Sequence, residues 1–205
     1  NRIKRNKYNK RGNALLINFA IPRYSMEPRC MPLSSQMCKY FEEQFNFYEE
    51  LLPQIKNQFK VRIYTKGDYE WQQEARWINR FPKVNIDRGE ISLSKAILNS
   101  RLIISTYNGS TYQETLSANI PTIIYWDIHL SEIPFLAKDD FKNLENVGIF
   151  HRNPVSAAKF LNKIWGNLDN WWNSKSVQIC RKEFCDKYCD RETNIIENLF
   201  RSLNV

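Results

Sequence analysis

Ten residues, Ser105-Thr106-Tyr107-Asn108-Gly109-Ser110-Thr111-Tyr112-Gln113-Glu114, join a run of branched apolar side chains to the start of a helical pattern. A turn of this composition suits an anion. Gly109 permits a positive φ or a close backbone approach. The first N–H groups of the following helix have no partner inside it, and its dipole favours negative charge there. The hydroxyls of Thr106, Ser110 and Thr111, with Asn108 beside them, add donors for phosphate oxygens. A purely local reading is also open, because Thr111-x-x-Glu114 fits a capping box. Glu114 thus has two readings, a helix cap or an acceptor for ribose hydroxyls. The stretch is neither a Walker A loop nor a GxGxxG fingerprint.

Other residues could add to such a site. Arg23, in the loop 22–29, can hold a phosphate or carboxylate through two parallel hydrogen bonds. Tyr69 and Trp71, in the loop 66–71, can flank a base or sugar, or pack into the core. Arg76 and Trp77 are expected to face a neighbouring helix. Asp127 and His129, with Glu132 nearby, offer an acid/base pair, but no nucleophile elbow accompanies them. His151 follows an apolar run and can meet a ligand. Trp165, Trp171 and Trp172 stand at helical positions and read as anchors for the C-terminal helices. Of the five cysteines, Cys185 and Cys189 share a helix face, yet no histidine stands at a zinc-ligand spacing from them, so no metal site is expected.

These residues need elements to position them. Apolar runs at 14–20, 60–65, 84–86, 101–106, 121–126 and 148–150 read as strands. Helical spacing covers 35–59, bent or broken at Pro53, then 71–81, 92–99 with Ser92 as N-cap, 111–118, and 132–146. It resumes at 154–165, opened by Pro154, and at 174–203 as one or two helices. Strand–helix alternation implies an α/β fold, a Rossmann-like parallel sheet with helices on both faces. Ligands bind such sheets outside the carboxyl ends of the strands, near the point where strand order reverses. The turns after Ala20, Thr65, Thr106 and Trp126 are therefore the candidate site loops.

Composition narrows the classes. A chain of 205 residues with 42% hydrophobic and 14% aromatic residues can build a core and is not disordered. No run approaches the roughly 18–20 apolar residues of a membrane span. The first residues are basic and polar and do not read as a signal peptide. The net charge is +8, but six of the basic groups lie in residues 1–11, leaving 24 basic against 22 acidic residues elsewhere. A nucleic-acid partner is thus not expected. Residues 1–12 read as a basic linker or tail that could touch an anionic membrane surface, and 13–205 as one domain. Because the chain opens on Asn1, a segment of a longer protein is expected.

Several runs carry a resemblance. The stretch 100–114, SANIPTIIYWD (117–127), VGIFHRNPVSAAKFLNKIW (147–165) and WWNSKSVQICRKEFCDKY (171–188) resemble the C-terminal part of a transferase family from bacterial surface-carbohydrate loci. PRYSM (22–26) and YEWQQEARWINRFP (69–82) resemble it as well, so the likeness spans about residues 13–190. More loosely, the arrangement is similar to the nucleotide-binding half of GT-B glycosyltransferases and of teichoic-acid glycerophosphotransferases. The resemblance implies a donor-binding domain for a nucleotide-activated sugar, with C-terminal helices packed back on the sheet. By position, Ser110 and Thr111 would hold donor phosphate, Glu114 would contact ribose, and Arg23 would approach the phosphates or a sugar carboxylate. The second Glu of the GT-B pattern E-x7-E would fall at 122, where Thr122 stands, so the nucleotide stays open. No DxD motif is present, and no cofactor or metal is expected. The catalytic base and acceptor site are expected on an N-terminal acceptor domain outside this chain, the acceptor being a lipid-linked or other glycan. The expected location is cytoplasmic, peripheral at the inner face of the membrane. A glycerophosphate or phosphosugar transferase domain, or a non-catalytic Rossmann-like scaffold, are the alternatives.

Overall fold

The computed structural model describes residues 8–24, 34–64 and 69–189. Among the described residues, six strands form one parallel sheet: β1 (Asn13–Ile17), β2 (Phe59–Arg62), β3 (Asn85–Asp87), β4 (Ser100–Ser105), β5 (Thr122–Tyr125) and β6 (Phe150–His151). Their order is β3-β2-β1-β4-β5-β6, so the strand order reverses between β1 and β4 while all strands stay parallel. The central strands β1, β4 and β5 are mostly apolar because both faces of a parallel sheet are covered, whereas β2 (FKVR) and β3 (NID), toward one edge, carry charged residues.

One face carries Ala14, Leu16, Val61, Leu102, Ile104 and Ile123. Packed on it are α1 (Ser34–Glu49), α2 (Pro53–Lys56), α3 (Gln73–Arg80) and α7 (Pro154–Ile164). On the other face lie α4 (Leu93–Leu98), α5 (Ser110–Ser117), α6 (Lys138–Asn146) and α9 (Lys175–Tyr188), the last packed on α5 and α6. The short α8 (Leu168–Trp172) joins α7 to α9. This is the expected Rossmann-like architecture.

Local chemistry explains most boundaries. The predicted helix 35–59 is three elements. Pro53 opens α2 at a position where its missing N–H costs nothing, and Phe59 belongs to β2. Ser92 caps α4 by accepting the Lys95 N–H, and Asn153 caps α7 by accepting the Ser156 N–H at 2.8 Å. The expected strand 148–150 starts later, because Gly148, at φ 79°, ends α6 with its N–H on the Glu145 carbonyl. Helix α6 itself starts at Lys138, not 132, after a 3-10 turn at Phe135–Ala137.

The tryptophans anchor the C-terminal helices. Trp171 Nε1 donates to the Val147 carbonyl at 2.9 Å and Trp172 Nε1 to Asn119 Oδ1 at 3.1 Å, with Trp165 buried. Trp77 is buried against Phe45 and Tyr48 of α1, as expected. At the front, Asn9 N–H donates to the Leu98 carbonyl and the Tyr8 hydroxyl to Asp169. The tail 1–7, residues 25–33 with Cys30, 65–68, and 190–205 with the end of the predicted last helix lie outside the described residues.

Candidate functional site

The register pairs Ile17 of β1 with Ser105 of β4, so Asn18 and Thr106 leave the sheet side by side at the reversal point. Asn18 is 4% exposed, and neither atom of its side-chain amide has a hydrogen-bond partner among the described residues. Buried amides without a partner are uncommon. Thr106 is 2% exposed, and its hydroxyl donates to the Ile17 carbonyl at 3.2 Å. Tyr40 of α1 closes the arrangement. Its oxygen lies 2.7 Å from Thr106 Oγ1 and accepts the Phe19 N–H at 3.1 Å. Burial pushes this phenol well above its ordinary value, so it stays a neutral bridge between α1, β1 and β4. Tyr40→Phe should cost about 1–3 kcal/mol by orphaning the Phe19 N–H. Urea denaturation checks this, and a loss under about 0.5 kcal/mol would mean water replaces the phenol.

Above this bridge a cleft of about 430 Å³, its open mouth included, lies between α1 and the loops after β4 and β5. Tyr40, Glu43, Thr106, Asn108 and Asp127 are among its lining residues. Lys39 forms an ion pair with Asp127 at the rim. Burial opposes ionisation of Asp127, but the Lys39 ammonium and the His129 N–H outweigh it and hold the carboxyl below its ordinary value. Glu43 behaves oppositely. Burial and the Asp127 charge push it up to about 7, against the pull of Lys39.

The α5 end of the site is built differently from its sequence reading. Gly109 is the N-cap, at φ −147° and ψ −179°, so no positive φ is needed there. Its role is close approach, because a Cβ would sit 2.3 Å from the Tyr107 ring. The Tyr107 hydroxyl lies 2.8 Å from Thr111 Oγ1, and the Tyr112 hydroxyl donates to Asn108 Oδ1 at 3.0 Å. The capping box does not form, since no side chain caps α5. Ser110 and Glu114 are exposed, with no hydrogen-bond partner among the described residues. The leading N–H groups of α5 are therefore left without a side-chain cap, with an exposed hydroxyl and an exposed carboxylate on the same helix.

Residues 1–203 match the family described as LIC12162 family transferase. The chain belongs to that family. No curated protein matches it.

The other expected site residues of this family transferase divide into two groups. The β4–α5 turn and Asp127 border one cleft. Arg23 stacks on Tyr24 and Trp71, its centre 5.5 Å from each ring, and donates to the Glu70 carbonyl. Trp71 is buried, with Nε1 donating to the Ile21 carbonyl at 2.7 Å, which leaves it supporting Arg23. Tyr69 stacks on Tyr64, and Tyr69, Glu70 and Gln72 all adopt left-handed φ of 47–65°. Strain of this sort persists only where its surroundings over-determine it. His129 reaches Asp127 through its backbone N–H rather than its ring. His151 is buried against Phe160, with Nε2 3.1 Å from the Gly148 carbonyl. Burial lowers its pKa, so it is a neutral, hydrogen-bonded core imidazole.

Sequence reasoning missed Lys39, Tyr40 and Glu43, because the α1 stripe at Met37, Phe41, Phe45 and Tyr48 reads as one buried face. A second stripe, Tyr40, Gln44 and Phe47, was the available signal that α1 is buried on two sides. Among the described residues, no group of His, Cys, Asp or Glu is placed to hold a metal ion, and no helix is long and apolar enough to cross a membrane.

Proposed function

We propose that this transferase binds a nucleotide-activated sugar and acts as the donor domain of a GT-B-like glycosyltransferase in bacterial surface polysaccharide synthesis. One observation carries the reading: at the reversal point of a Rossmann-like sheet, α5 starts with Ser110 and Glu114 exposed and unpartnered among the described residues. The donor phosphates lie on the free N–H groups of α5, with Ser110 Oγ and the Asn108 amide N–H as further donors. Thr106 and Thr111 shape the turn instead of contacting phosphate. Glu114, one helical turn on, accepts from the ribose hydroxyls. Arg23, held over the Trp71 ring, approaches from the β1 side. The helix start stabilises the charge that develops on the departing phosphate, with no resident cofactor. The acceptor is a glycan or lipid-linked glycan presented by an N-terminal acceptor domain, in the cytoplasm at the inner face of the membrane. Nucleic acid is not a substrate.

A thermal-shift screen of CMP, CDP, UDP, UMP, GDP and ADP, with the Ser110→Ala/Glu114→Ala variant alongside, tests this. At tenfold the Kd, a ligand adds about 1.4 kcal/mol, which raises Tm by roughly 3–6 °C. One nucleotide should do so in the natural chain and not in the variant. A shift that survives in the variant would remove α5 from the site.

A further inference from the structure

Glu43 lies at a place where a reacting hydroxyl would arrive. It lines the cleft opposite Asn108 and Thr106 of the β4–α5 turn, next to the start of α5. Two carboxylates, Glu43 and Asp127, border that cleft, with one ammonium, Lys39, between them. Lys39 is committed to Asp127 by a direct ion pair, four residues before Glu43 on the same helix. Asp127 also accepts the His129 N–H at 2.8 Å on its other oxygen. One carboxylate is thereby neutralised and fixed. The other has no hydrogen-bond partner among the described residues.

We propose that Glu43 is the general base of the transfer reaction, taking the proton of the acceptor hydroxyl in the cleft. The proposal rests on the donor-domain reading, and it puts on this chain a group that the family resemblance assigns to another domain. In the step, the acceptor O–H bond breaks and its proton passes to the Glu43 carboxylate. The freed oxygen forms a bond to the sugar carbon. The bond from that carbon to the phosphate oxygen breaks, and its electron pair leaves with the nucleotide on the α5 N–H groups. Glu43 then returns its proton to solvent through the cleft mouth.

The surroundings suit that exchange. Groups facing Glu43 are Lys39 and Tyr40 from α1, Tyr125 and Asp127 from β5 and the loop after it, and Tyr107 from the β4–α5 turn. Lys159 and Lys163 of the neighbouring α7 are exposed. Tyr40 and Tyr125 are buried phenols whose pKa values are raised by burial, so neither competes for the proton near neutrality. Burial and Asp127 bring Glu43 up to about 7, where a carboxylate is a stronger base yet still ionises. Asp127, held ionised by Lys39, keeps it there.

The test uses the full protein with UDP-N-acetylglucosamine, GDP-mannose, CMP-sialic acid and CDP-glycerol as probe donors and release of nucleotide as the readout. Glu43→Gln, nearly isosteric, should lower kcat at least ~100-fold. It should also remove the limb of the pH–rate profile that rises through neutrality, and leave the nucleotide thermal shift unchanged. A variant within threefold of the natural protein, or one that keeps that limb, overturns the proposal. A carbon-detected titration of the Glu43 carboxyl reads the residue without turnover. A midpoint near 7 is expected, and one in the ordinary carboxylate range overturns it. Failure of the donor-domain reading looks different, because no nucleotide then shifts the natural protein and both readings fall.

Discussion

Asp87→Ala is expected to lower stability by about 3–5 kcal/mol and Tm by roughly 6–20 °C. Arg62 closes β2 and is buried with Asp87, which closes β3, at a side-chain exposure of 8% and 5%. One guanidinium nitrogen donates to Asp87 Oδ2 at 2.9 Å, and another to the Ile91 carbonyl at 2.9 Å. The second carboxylate oxygen accepts the Gly89 N–H at 2.8 Å, fixing the turn that leads to α4. Removing the carboxylate leaves a cation inside the protein with one carbonyl to face. The desolvation already incurred by Arg62 is then uncompensated, which is why breaking such a pair costs more than the pair itself contributes. Replacing both residues together, Arg62→Met with Asp87→Leu, should recover most of the loss. Urea denaturation with an unchanged m-value is the measurement. A loss below about 1 kcal/mol for Asp87→Ala would mean that water reaches Arg62. The pair also matters to the site, because Arg62 is the last residue of β2 before the segment that carries Tyr64, Tyr69 and the Arg23–Trp71 stack.

The second large effect is a dependence of stability on pH set by Glu43. Its folded carboxyl titrates near 7, and in the unfolded chain it returns to the ordinary value of 4.5. Between those values the folded state keeps a proton that the unfolded chain has lost. Stability therefore falls as pH rises from about 4.5 to about 7. Glu43 is partly open to solvent, so the full linkage value is reduced by screening to about 1–2 kcal/mol. Glu43→Gln stays neutral throughout. It should match the natural protein at pH 4 and exceed it by that amount at pH 8, a gain of roughly 2–8 °C in Tm. Asp127 acts in the opposite sense and in a separate window. Its carboxyl is held below the ordinary value, so its contribution is present above that value and lost only in more acid solution. Equal stability of the variant and the natural protein at pH 8 would mean that Glu43 is ionised there without cost, contrary to its placement beside Asp127.

Together these two carboxylates show how one environment separates like groups. Asp127 has an ammonium and a backbone N–H in direct contact with its charge, and Glu43 has only the pull of Lys39 at a distance. The same separation assigns a spectator and a base in the proposed reaction.

The strands and their parallel arrangement were legible in the sequence, since a strand buried on both faces is a short unbroken apolar run. RLIIS and TIIY contain almost nothing else. Helix starts at Ser92 and Pro154 were legible too, because such signals act within a few residues of chain, whereas the Asn153 cap emerged only in the structure. The β4–α5 turn was picked out on the same local grounds, although its hydroxyls divide between the turn's own bonds and the open surface in a way that composition does not encode. His151 reads in the sequence as following a strand, but it is the last residue of β6 with its imidazole against the Gly148 carbonyl, a placement that the letters around it do not encode. The other half of the cleft came only from tertiary structure. Tyr40 meets Thr106 across 66 residues of chain, and Lys39 meets Asp127 across 88. No periodicity or motif spans such distances. The proton affinity of Glu43 depends on how much water α1 excludes and on which charges the β5 loop brings beside it, and both exist only once the helix is seated on the sheet.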